Sequence, residues 1–330
     1  MSIKLQEHSG LIGLLFRYYF AEMPYIDAFI SHYKKLGICS FCAIVQNVED
    51  GEYLGNVMKR YDIANFSYHF ISDCDPDSAL KKINFKSLGC KTEFLLHVDI
   101  DELLILPNEL SEEIFSVDSF FIPWVILCNT DNSMPKKTGS YINIFKHMAR
   151  TSLISGFKNP HEFIVSKLSR KGLPLVHLTQ ENCFSRNIYI VHHWARSFSD
   201  VLIKITLQMF TKSFKNDDVS SNNPHNSLQV FLENREIPKR LRYLAYLDTI
   251  SGDVDITLSN HQELYNLEEE RRLISLSCST NQFVEIHKLF VEYRSFVSVN
   301  KHLFPFWPHK ISIGKVCLQL PALNTLRNAA

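Results

Sequence analysis

The chain has 330 residues, 45% hydrophobic and 12% aromatic. That excludes a disordered polypeptide and leaves room for one large domain or a core domain with an appendage. Lys+Arg and Asp+Glu number 35 each, so no basic field exists to collect nucleic acid and no such partner is expected.

Eight cysteines are scattered along a chain whose first residues form no secretory signal. No apolar stretch approaches the roughly 20 residues of a membrane span. Reduced thiols in a cytoplasmic protein without a transmembrane segment are therefore expected. Cys39-x-x-Cys42 lies in the apolar run ICSFCAIV and has no second pair with which to hold zinc.

The first hundred residues alternate in kind. Leu11–Phe16 is an apolar strand, and Pro24 opens a helical segment that ends near Gly37. Phe41–Val45 is a second strand, followed by a helix through about Tyr53–Tyr61. Phe66–Ile71 is a third strand, Asp77–Leu88 a helix, and Phe94–Val98 a fourth strand. Strands of five or six residues between helices of about a dozen predict right-handed βαβ units and a mostly parallel sheet flanked by helices, an α/β fold.

After Glu102 the pattern loosens. Ser119–Leu127 reads as a strand in which Pro123 demands an edge or a bulge. Residues 128–190 mix loops and short strands, including Ile188–Val191. From Ser197 the chain turns helical: Phe198, Val201, Leu202, Ile205 and Met209 share one face, and Phe283, Ile286, Leu289, Phe290, Tyr293 and Phe296 share another. Asn216–Ser227 is polar and turn-rich. The aromatic, Pro-broken run His302–His309 is expected to dock on the core, with a peripheral membrane contact as the alternative.

Leu95–Leu106, LLHVDIDELLIL, carries three carboxylates in four residues at the end of an apolar strand. Unpaired carboxylates are costly to bury, so a cation or ligand is expected to hold them. Period-two alternation points Asp99 and Asp101 the same way. Two hard oxygen ligands at a strand end suit Mg2+ or Mn2+ holding a diphosphate. In parallel sheets ligands bind beyond the carboxyl ends of the strands, which is where this motif falls. The bland alternative is an exposed turn or helix cap. Carboxylates placed far from any cavity, or tied up by neighbouring lysines with no room for an ion, would collapse the enzyme assignment.

Several later residues complete candidate constellations. His192, after a strand, brings an imidazole as a third metal ligand, and Arg196 offers a bidentate grip on phosphate or on a neighbouring carboxylate. His161 and Glu162 follow a Pro-containing loop. Glu162 is a candidate general base and His161 a candidate contact for a hydroxyl-rich acceptor. Asp131 competes for the base role because it also follows a strand. Glu22, just past the first strand, is placed to accept from a base or ribose hydroxyl, or to favour the start of the next helix.

In order, these landmarks resemble glycosyltransferases of the family 2-like group, nearest to the branch that includes family 92. They are Glu22-x-Pro24, Leu36-Gly37, Asn47…Asp50-Gly51 and Val98-Asp-Ile-Asp-Glu102. Phe121-Ile-Pro-Trp124, Lys146…Arg150, Asn159-Pro-His161 and His192-His-x-x-Arg-Ser197 follow. The resemblance spans roughly residues 11–205. It implies a GT-A-type nucleotide-diphospho-sugar transferase domain over 1–205, followed by a mainly helical extension over 206–330.

The resemblance further implies a divalent metal, Mn2+ or Mg2+, a nucleotide-sugar donor, a saccharide or glycan acceptor, and inversion at the anomeric carbon. Donor contacts would come from Glu22, Asp50, Asp99 and Arg196, and metal ligation from Asp99, Asp101 and His192. The chain departs from the family pattern at Ala21 (usually Asn), Leu103 (usually Phe) and Leu127-Cys128 (usually Phe-Gly). Two other readings compete. One is an inactive carbohydrate-binding or scaffold protein with the same fold. The other is a phosphatase of the haloacid-dehalogenase type, whose Asp-x-Asp normally ends the first strand and precedes Thr or Val rather than Glu.

Overall fold

The computed structural model describes residues 2–3, 10–71, 80–85, 88, 91–107, 110–111, 116–130, 138–167, 174–204, 241, 244–245, 247–249, 252, 254–256, 266–277 and 280–299. Asp131, the polar stretch 216–227 and the aromatic run 302–309 lie outside the described residues, as does much of the expected helix 77–88. The chain divides into two compact units: residues 1–125, 144–192 and 260–265 in the first, and residues 126–143, 193–259 and 266–330 in the second.

The βα alternation folds as its periodicities require. Strand β1 (Ile12–Tyr18) is followed by helix α1 (Ile26–Lys35), with Asp27 in its first turn and Lys34 and Lys35 in its last, each charge matched to the helix dipole. Gly37, at φ 82°, ends the segment in the left-handed conformation that a residue without Cβ adopts freely. Strand β2 (Ser40–Val45) leads to helix α2 (Val48–Arg60) and then to strand β3 (Asn65–Phe70).

Helix α2 begins five residues earlier than its hydrophobic pattern suggested. Asn47 caps it, its Oδ1 accepting the Asp50 N–H at 2.7 Å while its Nδ2 donates to Asp50 Oδ2 at 3.0 Å. Asp50 and Gly51 therefore lie in the first helical turn. Gly51 is a packing glycine. A Cβ there would stand 2.4 Å from the Tyr68 ring of β3.

Strand β4 (Phe94–Val98) reaches the acidic turn, and β5 (Glu102–Ile105) leaves it. Strands β6 (Ser119–Cys128) and β7 (Thr138–Arg150) follow, then the hairpin β8 (Ile154–Asn159) and β9 (Glu162–Val165). The chain continues through β10 (His177–Leu178), the short helix α3 (Gln180–Phe184) and β11 (Tyr189–Ala195). In the large mixed sheet the order is β3-β2-β1-β4-β7-β6-β11-β5. The pairs β1–β2, β2–β3 and β1–β4 are parallel, and β4–β7 and β5–β11 are antiparallel.

One expectation fails here and another is narrowed. The mixed loops and short strands expected over 128–190 include a 13-residue strand, β7, in the sheet interior. Its polar Lys146, His147 and Arg150 hid it, because tertiary partners rather than apolar alternation hold it in place. Pro123 sits in an interior strand rather than at an edge. Strand β6 lies between β7 and β11 in the sheet and also pairs with β10 at Ser119 and Phe120.

One face of the first unit's sheet buries Leu15, Cys42, Ile44, Leu95 and Ala149 with Phe157 and Phe163 of the hairpin. Against the sheet's other components α1 packs its own buried stripe, with Phe29 tilted against Phe16 and edge-on to Tyr33. In the second unit, residues 198–204 are helical and bury Phe198, Val201 and Leu202. That unit also holds helices α4 (Leu267–Ser277) and α5 (Thr280–Val299), the latter burying Ile286, Phe290 and Tyr293 along one face as its spacing predicts. Among the described residues no helix is long and apolar enough to cross a membrane.

Candidate functional site

The parallel register builds the site. Strands β1 and β4 pair through Phe16 and Val98, so the next residues along, Arg17 and Asp99, meet at the carboxyl edge of the sheet. Arg17 Nε and Nη2 both donate to Asp99 Oδ1, at 3.1 and 2.7 Å. Lys146, fully buried on β7, donates to Asp99 Oδ2 at 3.0 Å and stands 3.0 Å from Glu102 Oε2. The turn between β4 and β5 locks itself: Glu102 N–H bonds Asp99 O, and Asp99 N–H bonds Glu102 Oε2 at 2.9 Å. Tyr33 of α1 pins the start of β5, donating to Glu102 O and accepting from Leu104 N–H.

Strand β11 supplies the remaining wall. It pairs with β5 so that His192 lies opposite Glu102, and His192 Nε2 comes within 3.6 Å of Asp101 Oδ2. The Trp124 ring of β6 packs on His192 at 4.2 Å and on His161 at 5.0 Å between centroids, with Lys146 Nζ 5.8 Å from its centre. Among the described residues Trp124 Nε1, His161 Nδ1 and Glu102 Oε1 have no hydrogen-bond partner, although all three atoms are buried. Unpartnered buried polar atoms are costly in a finished core and mark places where a ligand or water completes the set.

Charge distribution follows from burial and pairing. Burial alone would raise the Asp99 carboxyl, but Arg17 and Lys146 hold it well below the ordinary range. Glu102 goes the other way: burial, only partly opposed by Lys146, pushes it up to about 7. Burial and the Lys146 charge bring His161 down to about 4, so its imidazole is neutral at pH 7. His97, its Nδ1 bonded to Pro160 O, is held well below the usual histidine range by burial.

Asp99, Asp101, His192 and His161 are thus brought together, but Asp99 does not stand open as a ligand. Both its oxygens are occupied by cationic donors. Among the described residues no group of three His, Cys, Asp or Glu forms a metal cage. Asp101 and His192 do fit a cation: their ligand atoms are separated by 3.6 Å, a span one ion about 2.1 Å from each could bridge. A hard cation held by two protein ligands keeps room for phosphate oxygens.

Glu162 sits beside His161, with its carboxylate 2.8 Å from Lys158 Nζ. Glu22 is buried in the 3-10 turn Phe20–Glu22 just past β1, at the same edge. Asp50, in the first turn of α2, accepts from the capping Asn47 and is raised to about 6 by burial. Arg196, in the second unit, bonds Asp200 through its backbone N–H, and its Nη1 lies 3.6 Å from the same carboxylate. That local pairing was the alternative reading for Arg196.

Sequence reasoning passed over Arg17 and His97. The available signal was polar residues interrupting apolar strands at the edge where the acidic turn falls. Lys146 and Trp124 entered only as family landmarks, because nothing in β7 or β6 alone marks them.

No protein-family model and no curated protein matches the chain. Among solved structures it is similar to HddC from Yersinia pseudotuberculosis (7% identity, TM-score 0.31, 55% of this chain and 93% of that one). It is similar also to the mannosyltransferase Ktr4p from S. cerevisiae (10%, 0.28, 38% and 48%). A third is S. aureus TarS 1-349 in complex with UDP (11%, 0.29, 92% and 94%). At identities and TM-scores this low, function rests on the chain's own residues.

Proposed function

We propose that the first compact unit is a GT-A-type glycosyltransferase domain that moves a sugar from a nucleotide-sugar donor to a saccharide acceptor with inversion. The observation that carries this reading is the convergence of Arg17, Asp99, Asp101, Glu102, Lys146, His161 and His192 around Trp124 at the carboxyl edge of β1 and β4. Open parallel sheets bind their ligands at that edge.

In this reading the acceptor oxygen bonds to the anomeric carbon from the face opposite the leaving group. The bond from that carbon to the donor's phosphate oxygen breaks, the diphosphate keeps the electron pair, and a chain residue takes the acceptor's proton. His161 and Glu162 are adjacent base candidates. The neutral His161 imidazole stands against Trp124, whereas Glu162 must first part from Lys158. Asp101 and His192 would hold Mn2+ or Mg2+, which when bound supplies Lewis-acid neutralisation of charge on the diphosphate. Asp99 braces Arg17 and Lys146 instead of binding the ion. Trp124 and His161 give an apolar wall with a spare N–H and a spare ring nitrogen for sugar hydroxyls.

A thermal-shift panel of UDP-, GDP-, CMP- and dTDP-sugars, with and without Mn2+, tests the proposal. A donor present at 100 times its dissociation constant stabilises the native state by about 2.7 kcal/mol. Asp101→Ala should abolish the Mn2+-dependent part. If no nucleotide sugar stabilises the protein under any of these conditions, the reading fails. The saturation of Asp99 by two cations favours one rival, a binding protein without turnover. Stabilisation by oligosaccharides together with indifference to every nucleotide would select that rival.

A further inference from the structure

We infer that Arg17 is an anion-binding side chain of this site, gripping a phosphate oxygen of the ligand, and that Asp99 acts through it as the carboxylate that aims it. The identity of the anion as a nucleoside diphosphate rests on the glycosyltransferase reading; the anion-binding role does not.

Two cations touch Asp99, and their geometry separates them. Lys146 Nζ is fully buried, and its donors point to Asp99 Oδ2 at 3.0 Å, Glu102 Oε2 at 3.0 Å and Pro160 O at 3.5 Å. An ammonium has three donors, so Lys146 has none left for a ligand. A guanidinium has five N–H donors. Arg17 directs one from Nε and one from Nη2 to the same oxygen, Asp99 Oδ1. Among the described residues nothing accepts from Nη1. The Arg17 side chain retains 26% of its exposure where Lys146 retains none, so the unused edge of the fork reaches solvent at the carboxyl end of β1.

A surface arginine and carboxylate that merely neutralised each other would gain most from a fork-to-fork bidentate pair. Here both bonds converge on one oxygen because Lys146 holds the other. The guanidinium is therefore fixed by one side and presents the rest of its planar edge. That edge matches two oxygens of a phosphate group, which arginine recognises better than lysine does. The neighbouring Asp101 and Glu102 carboxylates make the net field unfavourable to anions. The site therefore depends on directed donors rather than on bulk charge, and the cation proposed at Asp101 and His192 would share the same diphosphate.

The test is isothermal calorimetry on the full chain with inorganic pyrophosphate, with UDP and GDP, and with uridine and guanosine, all in Mn2+. Arg17→Gln should weaken pyrophosphate and the preferred nucleoside diphosphate on the order of 10- to 100-fold, as expected for charge-assisted hydrogen bonds, while the matching nucleoside changes less than about threefold. Arg17→Lys, which keeps the charge but not the fork, should recover only a small part. Asp99→Asn should reproduce the selective loss with Arg17 still present.

Equal affinities for diphosphates in wild type and both Arg17 variants would overturn the inference. So would losses shared by nucleoside and diphosphate alike, since that pattern reports a merely structural ion pair. If pyrophosphate binding is Arg17-dependent but no nucleotide or nucleotide sugar binds, the anion site stands and the glycosyltransferase reading falls. If nothing binds wild type, both fall.

Discussion

Lys146 is the sharpest place to perturb this protein. Its side chain is fully buried, as is that of Glu102, and its Nζ lies 3.0 Å from both Glu102 Oε2 and Asp99 Oδ2. Lys146→Met keeps the stem's volume and removes only the charge, so packing contributes little to the outcome. Asp99 keeps Arg17 as a partner. Among the described residues Glu102 loses the cation it ion-pairs with and keeps the backbone donor Asp99 N–H.

Removing one member of a buried ion pair typically costs about 3–5 kcal/mol. The pH dependence gives the cause away. A carboxyl whose folded pKa is raised keeps a proton that the unfolded chain has released. Stability therefore falls as pH rises from the unfolded value of 4.5 to the folded one, and is level above it. In wild type that levelling comes near pH 7. Without Lys146 the folded value climbs further, so the variant goes on losing about 1.4 kcal/mol for each pH unit above 7 while wild type does not. Urea unfolding of both proteins at pH 6, 7, 8 and 9, followed by tryptophan fluorescence and circular dichroism, measures the gap. It should be smallest at pH 6 and wider by about 2–3 kcal/mol at pH 9. A gap under about 1 kcal/mol, or one flat across this range, would refute the buried-pair argument.

Two further perturbations test the frame around the site. Burial holds His147 down to about 4, with its ring stacked on Phe121 at 4.8 Å, so between pH 6.5 and 4 the unfolded chain takes up a proton that the native state refuses. Stability should fall by about 2 kcal/mol between pH 7 and 5 on this account, and His147→Phe should remove that share of the slope; matching slopes in the two proteins would contradict it. A Cβ at Gly13 would stand 2.5 Å from Thr92 Oγ1, which now donates to Phe94 O at 2.9 Å. Gly13→Ala should cost roughly 1–2 kcal/mol by forcing that hydroxyl away, and adding Thr92→Ala should recover part of it in chemical denaturation; additive losses would show the clash is not the cause.

Much of the frame was legible from local pattern. The apolar runs at β1, β2 and β4 and the helices between them follow periodicities that depend only on neighbouring residues. The carboxylates of the acidic turn could be placed at a strand end for the same reason. Where local rules conflicted, packing decided. Asp50 and Gly51 lie ahead of the helix expected over 53–61, yet helix α2 runs through them because Asn47 caps it.

The chemistry of the acidic turn lay beyond the sequence. Residues 99 to 102 announce that cations must be near, since four adjacent positions cannot bury three charges alone. Which cations serve them is a matter of register. Arg17 is 82 residues and Lys146 47 residues from Asp99, and only the β1–β4 and β4–β7 pairings bring them to it. The same holds for His192, set opposite Glu102 by β11. Spacing along a chain determines which faces its side chains share within one element. The partners waiting across the sheet are set by strand order, and that emerges only once the whole core has closed.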